Sequence, residues 1–351
     1  MAVPLSSVPP VPPAAPGRRG GPGGSGFGPG PRRTSHIHGS PWVTLAFLAP
    51  YLVVFLAFVA LPAVYGIWIS LHDWDFTLPS RPWVGGQNYA DLFDPESVQY
   101  EQFWNGMKNT GLFTLFSVPL LIVLPLALAL LLNLKFPGRT FFRAVFFAPY
   151  VLGVAVIGIM WRYLLDGNFG IVNRILGTNI QWTTSQPWTW IGLVGVTVWW
   201  TMGFNAVIYM AGLASIPTDQ YEAAALDGAG PWKRFLHVTL PGLRPVLIFV
   251  LVTTVLASAN MFGQSYTITQ GGPAESTRTA IMVITDLGFS QSRAGQAAAE
   301  SYILAFFLIV VSIAQFWATR DRSAGRERKE ARAAERRYRE RLAADDEEGR
   351  R

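Results

Sequence analysis

The chain has 351 residues, half of them apolar and only 14% charged, where a soluble protein carries roughly 25%. The last 32 residues, Arg320 to Arg351, hold 12 of the basic and 9 of the acidic side chains, so long stretches elsewhere carry no charge, as a bilayer selects. The net charge of +6 does not point to nucleic acid, because the basic residues flank apolar runs and form no patch on a soluble domain. Cysteine is absent, which excludes disulfides, thiolate metal sites and a thiol nucleophile, and the four histidines (His36, His38, His72, His237) are scattered.

Residues 1–41 are a Pro/Gly/Ser-rich tail with Arg18, Arg19, Arg32 and Arg33, too polar to bury a core and expected to be disordered. Apolar runs follow at about 43–70, 110–133, 141–164, 189–212, 245–263 and 301–319, each near the ~20 residues a helix needs to cross hydrocarbon. The first is too long and aromatic for a signal peptide and is expected to be retained. Pro62, Pro119, Pro125 and Pro149 lie inside these runs and predict kinks. None of the runs alternates as a barrel strand does. The prediction is an all-α membrane protein of six transmembrane helices, with a permease domain over 42–319.

Charge sets the orientation. With the N-terminus in the cytoplasm, the N-terminal tail, the 134–143 turn, the 213–244 loop and the C-terminal tail together carry 22 basic residues, and the opposite face carries 6. Both termini are therefore expected in the cytoplasm. The C-terminal segment, 320–351, reads as a charged exposed helix with i, i+4 pairs such as Glu335–Arg339, either a solvated anchor or a binder of anionic membrane lipid.

The 213–244 loop is unlike an ordinary connector. Pro217 ends the preceding helix, Thr218 or Asp219 is placed to N-cap a new one, Tyr221–Leu226 are helix formers, and Gly228 and Gly230 end it. Pro231 opens a second short helix, Trp232 to Val238, and Leu240-Pro241 is expected to stop it. The result is a helix–turn–helix whose small face, Ala223 to Ala225, permits close approach of another backbone.

Glu222-Ala223-Ala224, then Asp227-Gly228, then Val238-Thr239-Leu240-Pro241 resembles the EAA signature of ABC importer permeases. Phe141-Phe142-Arg143, Pro149-Tyr150, Trp161-Arg162, Gly271-Gly272-Pro273 and Arg293-Ala294-Gly295 are similar to the carbohydrate-importer (maltose-type) branch. The resemblance covers about 42–319. It implies that Glu222, Ala223, Ala224, Asp227, Gly228 and Pro241 form the docking loop for an ABC ATPase dimer, that a second homologous permease completes the pathway, and that an extracytoplasmic solute-binding protein delivers the solute to loops 71–109 and 264–300. It also implies residence in a bacterial plasma membrane. This subunit would itself be no enzyme and hold no cofactor, ATP being bound by the partner; no Gly-x-x-x-x-Gly-Lys-Ser/Thr loop occurs in the chain.

In the fourth run Thr197, Thr201, Asn205 and Tyr209 recur every four residues, a polar stripe along one side of a helix. Ser258, Asn260 and Gln264 supply a second polar surface beside Thr254. Neutral hydroxyls and amides suit a polyhydroxylated solute, and Trp199 and Trp200 offer flat faces to a sugar ring. Interhelical hydrogen bonding explains the same residues equally simply. The resemblance places sugar at these two spans. No run carries Asp, Glu, Lys or His at its middle, which leaves energy to an external motor. The alternatives are a secondary transporter, which needs a coupling residue within a span, and a polytopic membrane enzyme, for which His72, Asp73 and Asp75 are the nearest polar cluster.

Overall fold

The computed structural model describes residues 41–319; the tails proposed at 1–40 and 320–351 lie outside the described residues. The chain divides after Phe58 into two units. The first contributes α1 (Pro41–Phe55), an almost wholly exposed apolar helix in which Tyr51 and Phe55 stack one turn apart. Exposed apolar side chains all round a helix are what lipid, not water, stabilises.

A π-helical turn (Leu56–Ala60) precedes α2 (Leu61–Ser70), which carries Pro62 at its second position. α3 (Gln87–Ala90) is a single turn whose Asn88 Nδ2 donates to the carbonyls of Ser70 and His72 at 2.8 and 2.9 Å, satisfying the end of α2. α4 (Val98–Asn133) is the longest element, N-capped by Ser97, and starts twelve residues before the predicted run. α5 (Arg139–Val151) and α6 (Val154–Leu164) form the third run, which is not one straight span: it bends by 99° between Val151 and Val154, after Pro149 and at Gly153. α7 (Ile171–Leu176) is a short helix, and α8 (Trp188–Ala214) is the fourth span.

After α8 come α9 (Thr218–Leu226) and α10 (Pro231–Arg234), a π-helical turn (Phe235–Thr239), and α11 (Leu240–Gly242). A 66° bend leads into α12 (Arg244–Ala259). A third π turn (Ser265–Thr269), α13 (Ala280–Thr285) and a fourth π turn (Asp286–Ser290) make a folded segment before α14 (Ala294–Thr319). Among the described residues four helices are long and apolar enough to cross a membrane, and two bent pairs bring the number to six if each is one span. β-Structure among them is limited to two isolated antiparallel bridges, His72 with Trp83 and Asp75 with Arg293.

α4 is the spine: it packs along α8, α12 and α13, while α5 lies on α8 and α14 on α2. The α5–α8 crossing is close because residue 203 is glycine; a Cβ there would collide with the Phe146 carbonyl and lie 2.8 Å from Phe147 Cα, the small-residue contact by which membrane helices approach. The main core joins Leu128 and Leu132 of α4, Ala206, Tyr209 and Leu213 of α8, and Leu243 and Val250 beside and within α12.

One acidic residue lies within a span helix, though near its start and not at its middle. The sixth span begins at Ala294, not 301, and so encloses Glu300, which is 1% exposed and whose Oε2 has no partner. A span does carry a buried carboxyl, and the hydropathy run missed it because it lies one residue before the unbroken apolar stretch.

Candidate functional site

Two features stand out: a helical hairpin between α8 and α12, and a cavity lined by the same two helices.

The hairpin has the predicted two-helix form, with local differences. α9 starts at Thr218 after Pro217, and neither Thr218 nor Asp219 caps it with a side chain. Its end is a Schellman turn: Gly228 N–H bonds the Ala225 carbonyl at 3.1 Å and Ala229 N–H the Ala224 carbonyl at 2.9 Å. Gly228 sits at φ +73°, the left-handed region where glycine pays no steric penalty. Gly230 and Pro231 open α10 as expected. Leu240-Pro241 does not stop the second helix. The wide turn at Phe235–Thr239 absorbs the proline, and helix continues to Gly242 because a π turn releases the carbonyl that the ring would otherwise strike.

Tyr221 anchors the hairpin. Its hydroxyl meets Thr239 Oγ1 at 3.0 Å, and Tyr221 and Val238 both pack on the main core beside Ile216, Leu213 and Leu243. Glu222, Ala223, Asp227 and Gly228 face outward, Ala224 is half-buried, and Pro241 is exposed. Two apolar side chains missed by the sequence reading project from it: Leu226, 90% exposed, and Trp232, 69% exposed and stacked on Phe235. Exposed large apolar residues at the tip of a polar hairpin mark an interaction surface. Their signal was available, since neither belongs to the membrane runs.

The cavity holds about 420 Å³. Thr197, Thr201 and Asn205 of α8 line it together with Ser258, Asn260 and Gln264. Tyr209 does not: it is fully buried in the main core. Each four-residue step rotates about 40° past a full turn, so three steps carry Tyr209 off the stripe. Of the tryptophans, Trp200 lines the cavity and donates Nε1 to Leu152 O at 3.1 Å. Trp199 packs on Trp161 outside it.

The polar wall is partly spent on structure. The Thr197 and Thr201 hydroxyls donate to Leu193 O and Thr197 O, both at 2.8 Å. Asn205 Nδ2 donates to Leu121 O at 3.1 Å, and Ser117 donates to Ser258 Oγ at 3.2 Å. The threonines therefore keep their acceptor lone pairs for an occupant. Aromatic side chains line the cavity as well. Tyr150 and Phe204 stack at 4.3 Å with 14° between planes, with Phe113 and Phe262 nearby in the lining. The Pro149 kink and the Gly153 break bring Tyr150 here, which a linear reading of the third run did not foresee. Among the described residues, no ionisable acid or base other than the Tyr150 phenol lines the cavity.

Outside, Arg278 is no free loop charge. Its Nη1 meets Glu275 at 2.6 Å and its Nη2 meets Asp286 at 2.7 Å. Asn109 Nδ2 holds the Glu275 and Arg278 carbonyls at 2.8 and 3.0 Å. Asp94 and Glu96 are exposed, Asp94 closing its own turn through the Glu96 N–H. The predicted loop 264–300 is largely helical, whereas 71–109 is mostly turn and irregular chain with helix only at α3 and the start of α4. Near the first span, the Thr77 hydroxyl at 2.6 Å and then the Thr77 N–H at 2.7 Å hold the Asp75 carboxyl below its ordinary pKa. His72 is buried, with Nδ1 2.7 Å from Trp68 O. The His72–Asp75 cluster is thus tied up in turn structure. Among the described residues no group of acidic or histidine side chains could hold a metal.

Residues 103–322 match the model of a protein family described as "Binding-protein-dependent transport system inner membrane component". Among curated relatives, the chain is 30% identical over 79% of its length, and 93% of the relative's, to the "Probable starch degradation products transport system permease protein AmyD" of Thermoanaerobacterium thermosulfurigenes. It is 33% identical to the "Trehalose/maltose transport system permease protein MalF" of Thermococcus litoralis, over 75% and 88% of the two chains. To the "sn-glycerol-3-phosphate transport system permease protein UgpA" of Salmonella typhimurium it is 32% identical over 79% and 94%. Its fold matches a chain of the crystal structure of a bacterial ABC transporter for the acidic polysaccharide alginate, with a TM-score of 0.68 at 24% identity over 79% and 95% of the chains.

Proposed function

From its membership of the family of binding-protein-dependent transport system inner membrane components, to which this multi-pass membrane chain belongs, we propose that it forms half of the translocation pathway of an ATP-driven carbohydrate importer. The observation that carries the reading is connectivity. The exposed hairpin is the direct link between α8 and α12, and the polar side chains lining the cavity come largely from those helices and the Asn260–Gln264 segment after α12. A push on the hairpin through Tyr221 and Thr239 reaches the core at Leu213 and Leu243 and, within two helical turns along α8, Asn205.

In this reading the hairpin lies in the cytoplasm, as the basic-residue count favours. Glu222, Ala223, Ala224, Asp227, Gly228 and Pro241, with Leu226 and Trp232, form the dock for a separate ATPase dimer, which binds ATP. Thr197, Thr201, Asn205, Ser258, Asn260 and Gln264 line one side of the solute path. A second permease supplies the other side, and an extracytoplasmic binding protein delivers the solute. The carbohydrate assignment is supported by the cavity's mix of neutral polar groups and aromatic faces, and by the sugar solutes in the names of several relatives. The chain itself performs no chemistry.

The test is reconstitution in liposomes with the second permease, the ATPase and the binding protein. Sugar uptake should require all four and hydrolysable ATP; uptake by this chain alone refutes the assignment. Glu300 gives a second reading its one support, since a buried carboxyl within a span is the usual mark of ion coupling. It does not line the cavity, and Glu300→Gln is expected to retain ATP-driven uptake. Loss of uptake with intact assembly, together with dependence on a proton gradient, would favour ion coupling.

A further inference from the structure

A second cavity, of about 570 Å³, lies beyond the first between the π turn at Ser265–Thr269 and the one at Asp286–Ser290. Phe262 lines both, so the two chambers share a wall. The outer chamber combines an aromatic pair, Phe262 stacked on Tyr266 at 5.1 Å, with three charged side chains: Arg278, Glu275 and Asp286. Flat apolar faces beside carboxylates, each able to accept two hydroxyl hydrogen bonds, are what a sugar ring requires.

The charge arrangement is selective. An anionic solute is normally held by an unpaired guanidinium or ammonium. Among the described residues Arg278 is the chamber's only cation, and both its terminal nitrogens are taken, at 2.6 Å by Glu275 and at 2.7 Å by Asp286. Gln291 Nε2 also donates to Asp286 at 3.1 Å, fixing the carboxylate on the arginine. Two carboxylates against one guanidinium leave the chamber net negative, and no cation among the described residues lines the inner cavity. A phosphate or uronate would meet repulsion at the outer chamber and no compensating partner in either.

We propose that the outer chamber is a second carbohydrate subsite on the path to the inner cavity, and that its pinned arginine and two carboxylates restrict this subunit to uncharged sugars. This rests on the carbohydrate-importer reading and narrows it to neutral over anionic solutes.

The chain's lack of cysteine allows a direct test in the complete importer in membrane vesicles. Ser290→Cys reports the outer chamber and Asn260→Cys the inner one. Maleimide labelling of each is followed with maltose, trehalose, cellobiose or maltotriose, and with sn-glycerol 3-phosphate or galacturonate. At least one neutral sugar is expected to slow labelling at both positions by about threefold or more, and the anions at neither. Asp286→Asn and Glu275→Gln should each raise the half-saturating sugar concentration for uptake, by roughly tenfold for a lost charge-assisted contact, with the maximal rate retained. Protection at Asn260→Cys without protection at Ser290→Cys overturns the subsite and leaves the importer reading standing. Protection or uptake with the anions overturns the charge selection. Failure of every carbohydrate at both positions, with no ATP-driven uptake, overturns the carbohydrate reading itself.

Discussion

Substituting Gly228 tests whether the hairpin's shape, and not merely its sequence, transmits the power stroke. The residue sits at φ +73° with no atom within 4 Å of where a Cβ would stand. A side chain is therefore opposed only by the backbone, at about 1–2 kcal/mol for an ordinary L-residue in the left-handed region. That cost falls on the Schellman turn that closes the nine-residue α9, whose side chains are mostly exposed. A change of this size shifts a local equilibrium by roughly 5- to 30-fold, and the affinity of a partner that needs the formed hairpin falls with the formed fraction, by up to that factor. Gly228→Ala should weaken ATPase binding measurably and by no more than that factor, as read by titrating purified ATPase onto the permease pair in nanodiscs. Gly228→Asn should lose much less, because asparagine tolerates this conformation. Gly228→Asp adds a negative charge to a helix C-terminus and should uncouple uptake from hydrolysis, with membrane insertion unchanged. Wild-type affinity for Gly228→Ala, or equal losses for Ala and Asn, would refute the conformational argument.

Glu222 is exposed, so Glu222→Lys should alter stability by less than ~0.5 kcal/mol and abolish ATP-driven uptake; uptake at the wild-type rate would remove Glu222 from the dock. Gly203→Ala should destabilise the bundle by about 1–3 kcal/mol through overpacking, because α5 must move off α8 and carry the Tyr150–Phe204 stack with it; an unchanged melting temperature would show that the crossing is softer than its geometry. Asp75 has a folded pKa lowered below 3.8 by Thr77, so its contribution is fully present above 3.8 and is lost as pH falls through the lower folded value. Hydrogen exchange in the 72–78 turn should be flat from pH 8 to pH 5 after correction for intrinsic rates, and protection should fall only below 3.8; a transition near pH 6 would contradict the assignment.

Much of the site was legible because the residues carry their local physics with them. Gly228, Gly230 and Pro231 allow few backbone paths, so the hairpin's two helices and its turn were predictable. Four-residue spacing placed Thr197, Thr201 and Asn205 on one wall because periodicity holds over two turns. It failed at Tyr209, where the accumulated rotation turns the side chain into the core. Pro241 misled because a proline's local penalty was assumed to end the helix, and a π turn accommodated it instead. The pairing of Arg278 was not legible, because its partner Asp286 lies beyond α13 in the chain.

The sequence alone determined the solvent this protein is built for, the number of runs that meet it and the helical hairpin between two of them, since hydropathy and turn chemistry are properties of neighbouring residues. Only the tertiary structure decided which polar side chains share a cavity, that the third run breaks to present Tyr150, that Glu300 is enclosed, and that Arg278 is neutralised. Each depends on the angle and depth at which distant helices meet, and close packing fixes these through contacts such as Gly203 against Phe146 and Phe147.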